Sequence, residues 1–425
     1  MANLTRNMMS GNRQKQRRLW NYGILPLLCM LLLSVSASRI PAREPSLDLD
    51  ASKDLPQSIA RLLGPKDSLL AENSKGEILY SYNPNALRTP ASTFKVFTSL
   101  LALNKLGEDF HFKTEIYQDG EGNLKIKGYG DPLLISEVLE PLAGEIASRT
   151  KSCKQIVLDS SYFKTPLEIP GTGSTANPYD APVGALCVNF NTVFFTYDAN
   201  GKLASAEDQT PLIPFAETII RSKKLPRGRA LLTQEHEQTT LYAGHLLRYF
   251  LREKGVACGE VVLGRVKPGD TLLFEHESPY SLTEVAGKAL EFSNNFIVNQ
   301  VFLSVGAHEK GAPATLENAV NTAREFAAKE LEIKDLIVAE GSGLSRKNRI
   351  TASQMMKVLR AFQPYQTLMH YEDGVWYKTG TLHGVRTLVG YIPEGDSDGL
   401  TRFVIFINTP GGSAQKVLGR ILQSN

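Results

Sequence analysis

The sequence predicts an α+β protein in which a domain of helices and sheet carries a β-rich insertion. Three observations predict it. An apolar stretch of helical period runs from Thr93 to Leu106. From about Phe110 to Asp270 the chain breaks into short β-like pieces with turn punctuation. Helical signals return at Ser281 and give way to three β runs at the end. At 425 residues, 42% hydrophobic and 21% charged, the chain can bury a core of one large or two ordinary domains. The expected boundaries are 1–37 for a leader, 45–109 with 271–425 for the main domain, and 110–270 for the inserted subdomain.

The leader, RQKQRRLWNYGILPLLCMLLLSVSAS, has a basic run, an apolar run and then Val35-Ser36-Ala37, small residues suited to signal peptidase. It predicts export to the periplasm or another site outside the cytoplasmic membrane. The rival reading is an uncleaved anchor giving weak membrane association. Against it, Leu19 to Val35 is short of the ~20 residues a span needs and is interrupted by Asn21 and Pro26. Cys29 is not a lipid site, because Leu28 rather than a small residue precedes it.

After the proline-bearing linker IPAREPS comes a helical stretch ending near Gly64, then two β runs joined at Asn73-Ser74-Lys75-Gly76. In the next helix Phe94, Phe97, Leu100 and Leu101 share a face, and Gly107 is placed to end it. The insertion offers NLKIKGYG, QIVLDSSYF and TVFFTYDANGKLASA, with a turn at Asn200-Gly201 and one helix around Leu246 to Lys254. Its GYGDP lacks the full glycine fingerprint of a dinucleotide loop and reads as a tight turn. Capping boxes at Ser281/Glu284 and Thr351/Gln354 open two later helices. VWYKTGTL, GVRTLVGYI and RFVIFINT follow as strands, with a last helix from Ser413 to Leu422.

The formal charge of +3 comes from the leader, where Arg6, Arg13, Lys15, Arg17 and Arg18 meet no acid. Without those five positive charges the remaining 42 basic and 44 acidic residues give −2, which argues against a nucleic-acid partner. Cys153, Cys187 and Cys258 are odd in number and not closely spaced, so small buried hydrophobes are expected rather than a disulfide framework. His236 and His276, each flanked by glutamates, are expected to be solvated loop residues, and no metal-ligand spacing occurs.

The candidate chemistry begins at Ser92 and Lys95. Positions i and i+3 of a helix share a face, so the lysine can serve as base to the serine if a desolvated or cationic setting keeps it neutral. The spacing alone is weak, since Ser148/Lys151, Ser161/Lys164 and Ser413/Lys416 repeat it, and Ser92 could equally cap a helix before a solvated lysine. Two further motifs strengthen the case. Ser293-Asn294-Asn295 offers a relay hydroxyl and an amide at a join between helices, though a polar turn would look the same. Lys378-Thr379-Gly380-Thr381 lies on a predicted strand where Lys378 and Thr379 can bind a carboxylate and Gly380 admits a peptide backbone, though an ordinary edge strand would also fit. The three in this order are a strong joint signal.

On these motifs, and on GYGDPLL, YDAPVGALCVNFN, EFSNNF, EGSGLSRKNRITASQMM and KTGTLHGVRTLVGY, the chain resembles the penicillin-recognising serine D,D-peptidases. More narrowly it is similar to the low-molecular-mass class C penicillin-binding proteins of peptidase family S13, the D-alanyl-D-alanine carboxypeptidase/endopeptidase group. The resemblance implies a β-lactamase/transpeptidase-like domain, an antiparallel sheet with flanking helices and an all-helical lobe. It implies that Ser92 is acylated with Lys95 as base, that Ser293 and Asn295 supply the relay hydroxyl and amide, and that Lys378 and Thr379 face the substrate carboxylate. The backbone N–H groups of Ser92 and Thr381 would form the oxyanion hole. The implied substrates are peptidoglycan stem peptides ending in D-Ala-D-Ala, the implied inhibitors are β-lactams, and no cofactor or metal is called for. Glu340 departs from the aspartate more often found before GSGLSR while keeping the charge, and the insertion is shorter than in the longest members, which bears on any endopeptidase preference.

Two rival functions remain at this point. A β-lactamase-like hydrolase shares the acylation step, but the E-x-x-L-N pattern of the class A deacylating loop is missing. A non-catalytic module that binds or senses peptidoglycan peptides would keep the cleft and release no alanine.

Overall fold

The computed structural model describes residues 55–395 and 398–423. The leader, with Cys29 and the export signal, lies outside the described residues. Among the described residues no helix is long and apolar enough to cross a membrane.

In chain order the elements are α1 (Gln57–Ala60), β1 (Ser68–Glu72), β2 (Ile78–Tyr82), a 3₁₀ turn (Ala91–Thr93), α2 (Phe94–Leu106), β3 (His111–Gln118), β4 (Leu124–Gly128), α3 (Ser136–Arg149) and β5 (Ser152–Asp159). Then come β6 (Thr192–Tyr197), β7 (Leu203–Ser205), α4 (Pro214–Lys223), β8 (Gly228–Leu231), α5 (His236–Glu253), β9 (Ala257–Leu263) and β10 (Thr271–Ser281). The chain closes with α6 (Leu282–Glu291), α7 (Asn295–Lys310), α8 (Leu316–Glu330), α9 (Ala352–Phe362), β11 (His370–Glu372), β12 (Val375–Leu382), β13 (Val385–Pro393), β14 (Leu400–Ile407) and α10 (Ala414–Leu422).

A six-stranded sheet runs β11-β12-β13-β14-β1-β2, every neighbour antiparallel. Alternation along β14 builds two cores from one strand. Phe403, Ile405 and Ile407 face α1 and α10 with Leu69 and Ala71. Val404 and Phe406 face the opposite side with Leu70, against α2, α6, α7, α8 and α9. All eight residues of β14 are buried, as expected of a strand covered on both faces. Both predicted capping boxes form, with Ser281 and Thr351 each accepting from the third backbone N–H of its helix.

The insertion holds a five-stranded sheet, β10-β3-β4-β5-β9, and a three-stranded one, β7-β6-β8, around a core of its own. The five-stranded sheet takes in β10, which pairs with β3 and lies beyond the expected boundary at 270. The insertion is also less purely β than its sequence suggests. Helices α3, α4 and α5 pack on its sheets, whereas periodicity had indicated only Leu246–Lys254. The internal Pro141 masks α3, the apolar opening Ile213-Pro214-Phe215 of α4 imitates a strand, and the polar start of α5 hides its first two turns.

Two expectations about single residues are corrected. Cys153 and Cys258 are joined in a disulfide, and among the described residues Cys187 is the one buried free thiol. The parallel register of β5 and β9 sets Cys153 opposite Cys258, a proximity that their 105-residue separation does not reveal. His236 opens α5 and His276 sits half-buried in β10 beside Glu145, so neither occupies a loop.

Gln300, fully buried on α7, bolts the insertion to the helical lobe. Its amide accepts from Gly184 N (3.0 Å) and donates to Gly184 O (2.9 Å) and Gly130 O (3.5 Å).

Candidate active site

Ser92 lies in the 3₁₀ turn that leads into α2, next to Ala91, whose φ of 49° is a left-handed conformation that a side-chain-bearing residue adopts at a cost. The turn is held from several directions. Pro90 O accepts from Thr93 Oγ1 (2.7 Å) and from Thr387 Oγ1 on β13 (2.6 Å), and Thr89 N donates to Asn408 Oδ1 (2.8 Å). Gly343, at φ 80°, packs on Ala91 O where a Cβ would collide. Ala91, Thr93 and Phe94 are buried and Ser92 is partly open. Its Oγ makes no capping bond to the helix, and its one hydrogen-bond partner among the described residues is Lys95.

Lys95 is fully buried. Its Nζ stands 3.0 Å from Ser92 Oγ, 2.7 Å from Asn295 Oδ1 and 2.7 Å from the carbonyl oxygen of Ser342. Burial pushes this ammonium down to about 7, the nearby charge of Lys378 pushes it the same way, and the Glu340 carboxylate opposes them. A neutral amine has two N–H donors and one lone pair. The amide oxygen of Asn295 and the carbonyl of Ser342 can only accept, so they take both donors, and the lone pair is left for the Ser92 hydroxyl proton.

The second motif reaches the same place through the start of α7. Asn294 caps that helix, its side chain accepting from Ile297 N at 3.1 Å, and so presents Asn295 to Lys95 from the first helical position. Ser293, at φ 51°, is partly exposed and lies two residues before Asn295; its hydroxyl makes no hydrogen bond among the described residues.

The third motif lies on β12. Lys378 is 4% exposed, makes no ion pair or side-chain hydrogen bond among the described residues, and is pushed down to about 8 by burial. Gly380 shares its buried face, while Thr379 is half-buried and Thr381 exposed on the other. Gly380 has a cause within the protein itself. A Cβ there would stand 2.9 Å from both Pro90 O and Ser92 N and would collide with Thr387 Oγ1, so the glycine lets the strand close on the Ser92 turn. β11 covers only Val375 to Tyr377, which leaves the outer edge from Lys378 onward unpaired by it.

The loop from Glu340 to Asn348 completes the surroundings of Lys95, and its part was not legible as chemistry. Beyond supplying the Ser342 carbonyl, it places Glu340 with no exposed surface and Asn299 of α7 beside it. A groove of ≈ 860 Å³, lined by Gly171, Asp180, Gln234 and Lys347 among others, runs from this loop along the insertion. Among the described residues no cluster of side chains could hold a metal ion.

A serine hydroxyl 3.0 Å from a buried lysine whose ammonium burial disfavours, with a second buried lysine on a neighbouring strand, is an arrangement chemically suited to serine acyl transfer on an α+β frame. Residues 67–224 and 228–376 match the D-Ala-D-Ala carboxypeptidase 3 (S13) family, and the chain belongs to it. It is 28% identical to the D-alanyl-D-alanine carboxypeptidase of Actinomadura sp. (strain R39), over 95% of this chain and 89% of that one. With D-alanyl-D-alanine carboxypeptidase DacB of Haemophilus influenzae it shares 24% identity over 89% of this chain and 91% of the relative. The crystal structure of penicillin binding protein 4 (dacB) from Haemophilus influenzae has the same fold, with a TM-score of 0.71 at 22% identity, covering 86% of this chain and 98% of the other. That relative has also been solved complexed with a β-lactam.

Proposed function

We propose that this chain is a penicillin-binding serine carboxypeptidase that removes the terminal D-alanine from peptidoglycan stem peptides through an acyl-Ser92 intermediate. The carrying observation is the Lys95 amine, whose two acceptor-only neighbours leave its lone pair on Ser92 Oγ at 3.0 Å. Ser92 Oγ attacks the penultimate D-Ala carbonyl carbon as its proton passes to Lys95 Nζ. The oxyanion is received by the backbone N–H groups of Ser92 and Thr381, each worth roughly 3–4 kcal/mol in comparable chemistry. Collapse breaks the peptide C–N bond, and the leaving amine takes a proton through the Ser293 hydroxyl. Water then hydrolyses the ester, with Lys95 again as base. Lys378, still an ammonium below about 8, and Thr379 hold the terminal carboxylate. The Asn295 amide nitrogen, free of Lys95, is the donor for a substrate carbonyl. Gly380 keeps the strand close to Ser92, and Thr381 lends its backbone to the substrate.

Such substrates lie outside the cytoplasmic membrane, where the leader would deliver the chain. β-Lactams would acylate the same serine, as the β-lactam complex of the Haemophilus relative suggests. The test is labelling by a fluorescent penicillin together with D-alanine release from a pentapeptide. Wild type should do both and Ser92→Ala neither; a labelled Ser92→Ala variant would remove Ser92 from the role. Digestion of cross-linked muropeptides, read by mass, separates carboxypeptidase from endopeptidase action.

A further inference from the structure

The carboxylate of Glu340 accepts five hydrogen bonds and touches no cation. One oxygen takes Ser342 N (2.7 Å), Ser342 Oγ (2.6 Å) and Asn299 Nδ2 (3.1 Å); the other takes Ser345 N (3.1 Å) and Asn348 Nδ2 (2.8 Å). The residue is fully buried. A shell made entirely of donors suits a carboxylate and not a neutral amide, whose NH₂ would face other donors with nothing to receive it. Glu340 is therefore a buried negative charge held by dipoles.

The same shell fixes the next residues of the chain. Gly341 is gripped from both helices of the site, its carbonyl accepting from Thr98 Oγ1 (2.6 Å) on α2 and its N–H donating to Asn299 Oδ1 (2.9 Å) on α7. Thr98 lies on the same helix three residues beyond Lys95, and Asn299 is one turn beyond Asn295. Ser342, tied to Glu340 through both its N–H and its hydroxyl, then directs its carbonyl at Lys95 Nζ.

We propose that Glu340 is a positioning residue for the base: it holds the Ser342 carbonyl on Lys95 and keeps a negative charge behind the amine, where it stabilises the ammonium formed as Ser92 gives up its proton. This rests on the reading of Lys95 as base to Ser92. Two charged groups act on Lys95 from the elements packed around it, Lys378 of β12 and Glu340 of this loop, and they act in opposite directions. Removing the negative one makes the amine a weaker base, so the acid limb of acylation moves to lower pH while the rate on the plateau falls.

The experiment is the second-order rate of Ser92 labelling by fluorescent penicillin between pH 5.5 and 9, in wild type, Glu340→Asp, Glu340→Gln and Ser342→Ala, with Ser92→Ala as control. Glu340→Gln should lower the acid limb by on the order of half a pH unit and the plateau by roughly 10- to 100-fold. Glu340→Asp should restore the limb and bring the plateau within about fivefold of wild type. A Glu340→Gln limb at the wild-type position overturns the proposal, whatever its plateau or melting temperature, because an unmoved limb is what a purely structural role without the charge effect would give. If Glu340→Gln does not fold, Ser342→Ala decides: it removes one donor from the carboxylate and should raise the limb slightly while slowing labelling about two- to fivefold, and a limb and rate equal to wild type overturn the proposal. Absent labelling of wild type, or persistent labelling of Ser92→Ala, would instead overturn the underlying reading and leave these comparisons without a base to report on.

Discussion

Lys378→Met should yield a more stable and much less active protein. Lys378 is 4% exposed and has no ion pair among the described residues. Its ammonium lies at about 8 against an ordinary 10.5 because burial removes it from water. The folded state therefore binds this proton less tightly than the unfolded chain does. Below about 8 both states carry the proton and the penalty is present in full. Between about 8 and 10.5 only the unfolded chain carries it, so stability rises with pH across that window. A difference of that size corresponds to a ceiling of about 3 kcal/mol. Methionine fills similar volume without the charge and should recover a part of it, on the order of 1–3 kcal/mol at pH 7. For a chain of this length that is a rise in Tm of roughly 1–4 °C. At pH 10 the gain should shrink, because the wild-type lysine is by then mostly neutral in the fold. Losing the carboxylate anchor should lower kcat/KM for a D-Ala-D-Ala peptide by roughly two to three orders of magnitude. Paired melting curves at pH 7 and pH 10, with alanine release at pH 7.5, test all three. A variant no more stable than wild type at pH 7, or one that gains as much at pH 10, would refute the burial argument; retained kcat/KM would refute the carboxylate role.

Wild-type acylation should follow a bell in pH, rising through about 7 as Lys95 loses its proton and falling through about 8 as Lys378 does, measured by the rate of penicillin labelling. A rate that stays flat from pH 6 to 9 would count against both assignments. Gly380→Ala should push β12 off the Ser92 turn, costing about 1–3 kcal/mol of stability and at least roughly tenfold in labelling rate. Reducing the Cys153–Cys258 disulfide, which closes a loop of 105 residues far from Lys95 in the chain, should lower Tm, with about 4–5 kcal/mol as the chain-entropy ceiling, while labelling at 25 °C stays within about twofold. Gln300→Leu strands the buried Gly184 N–H and Gly130 carbonyl, leaves the Gly184 carbonyl only the Cys187 thiol, and should destabilise by about 2–4 kcal/mol in urea titration.

What could be read from the letters was whatever local periodicity or local chemistry decides. Phe94, Phe97, Leu100 and Leu101 repeat at helical spacing because one face of α2 is core, and the capping boxes at Ser281 and Thr351 close within one turn of chain. The strands of KTG and RFVIFINT are short runs between clear breaks. What could not be read depends on register or on enclosure. The disulfide needs the parallel alignment of β5 with β9. Glu340, in a run of glycine and serine, looks like a solvated turn until five donors are seen to close on it. Gln300 looks like one more polar residue in a helix until the insertion is seen to hang from it. Gly380 has a further reason that no local signal shows, because Thr387, Pro90 and Ser92 already occupy the space a side chain would need.

The depressed pKa of Lys95 belongs to the same class, and in the proposed mechanism it would decide whether Ser92 can react. At its ordinary value of 10.5 this lysine would be neutral in roughly one molecule in a thousand at pH 7.5. Burial beside a second lysine changes that, and the repulsion between the two ammoniums is expressed on Lys95, the more deeply enclosed, which yields its proton first. Lys378, slightly less enclosed at 4% exposure, retains its own until about 8. In the proposed mechanism, the order of the two values favours the proton on Lys378, which would attract a carboxylate, over Lys95, which would accept a proton. Two identical side chains acquire opposite duties from depth and mutual repulsion. The Glu340 carboxylate opposes that fall, and in the proposed mechanism it would keep Lys95 basic enough to take the proton that Ser92 loses.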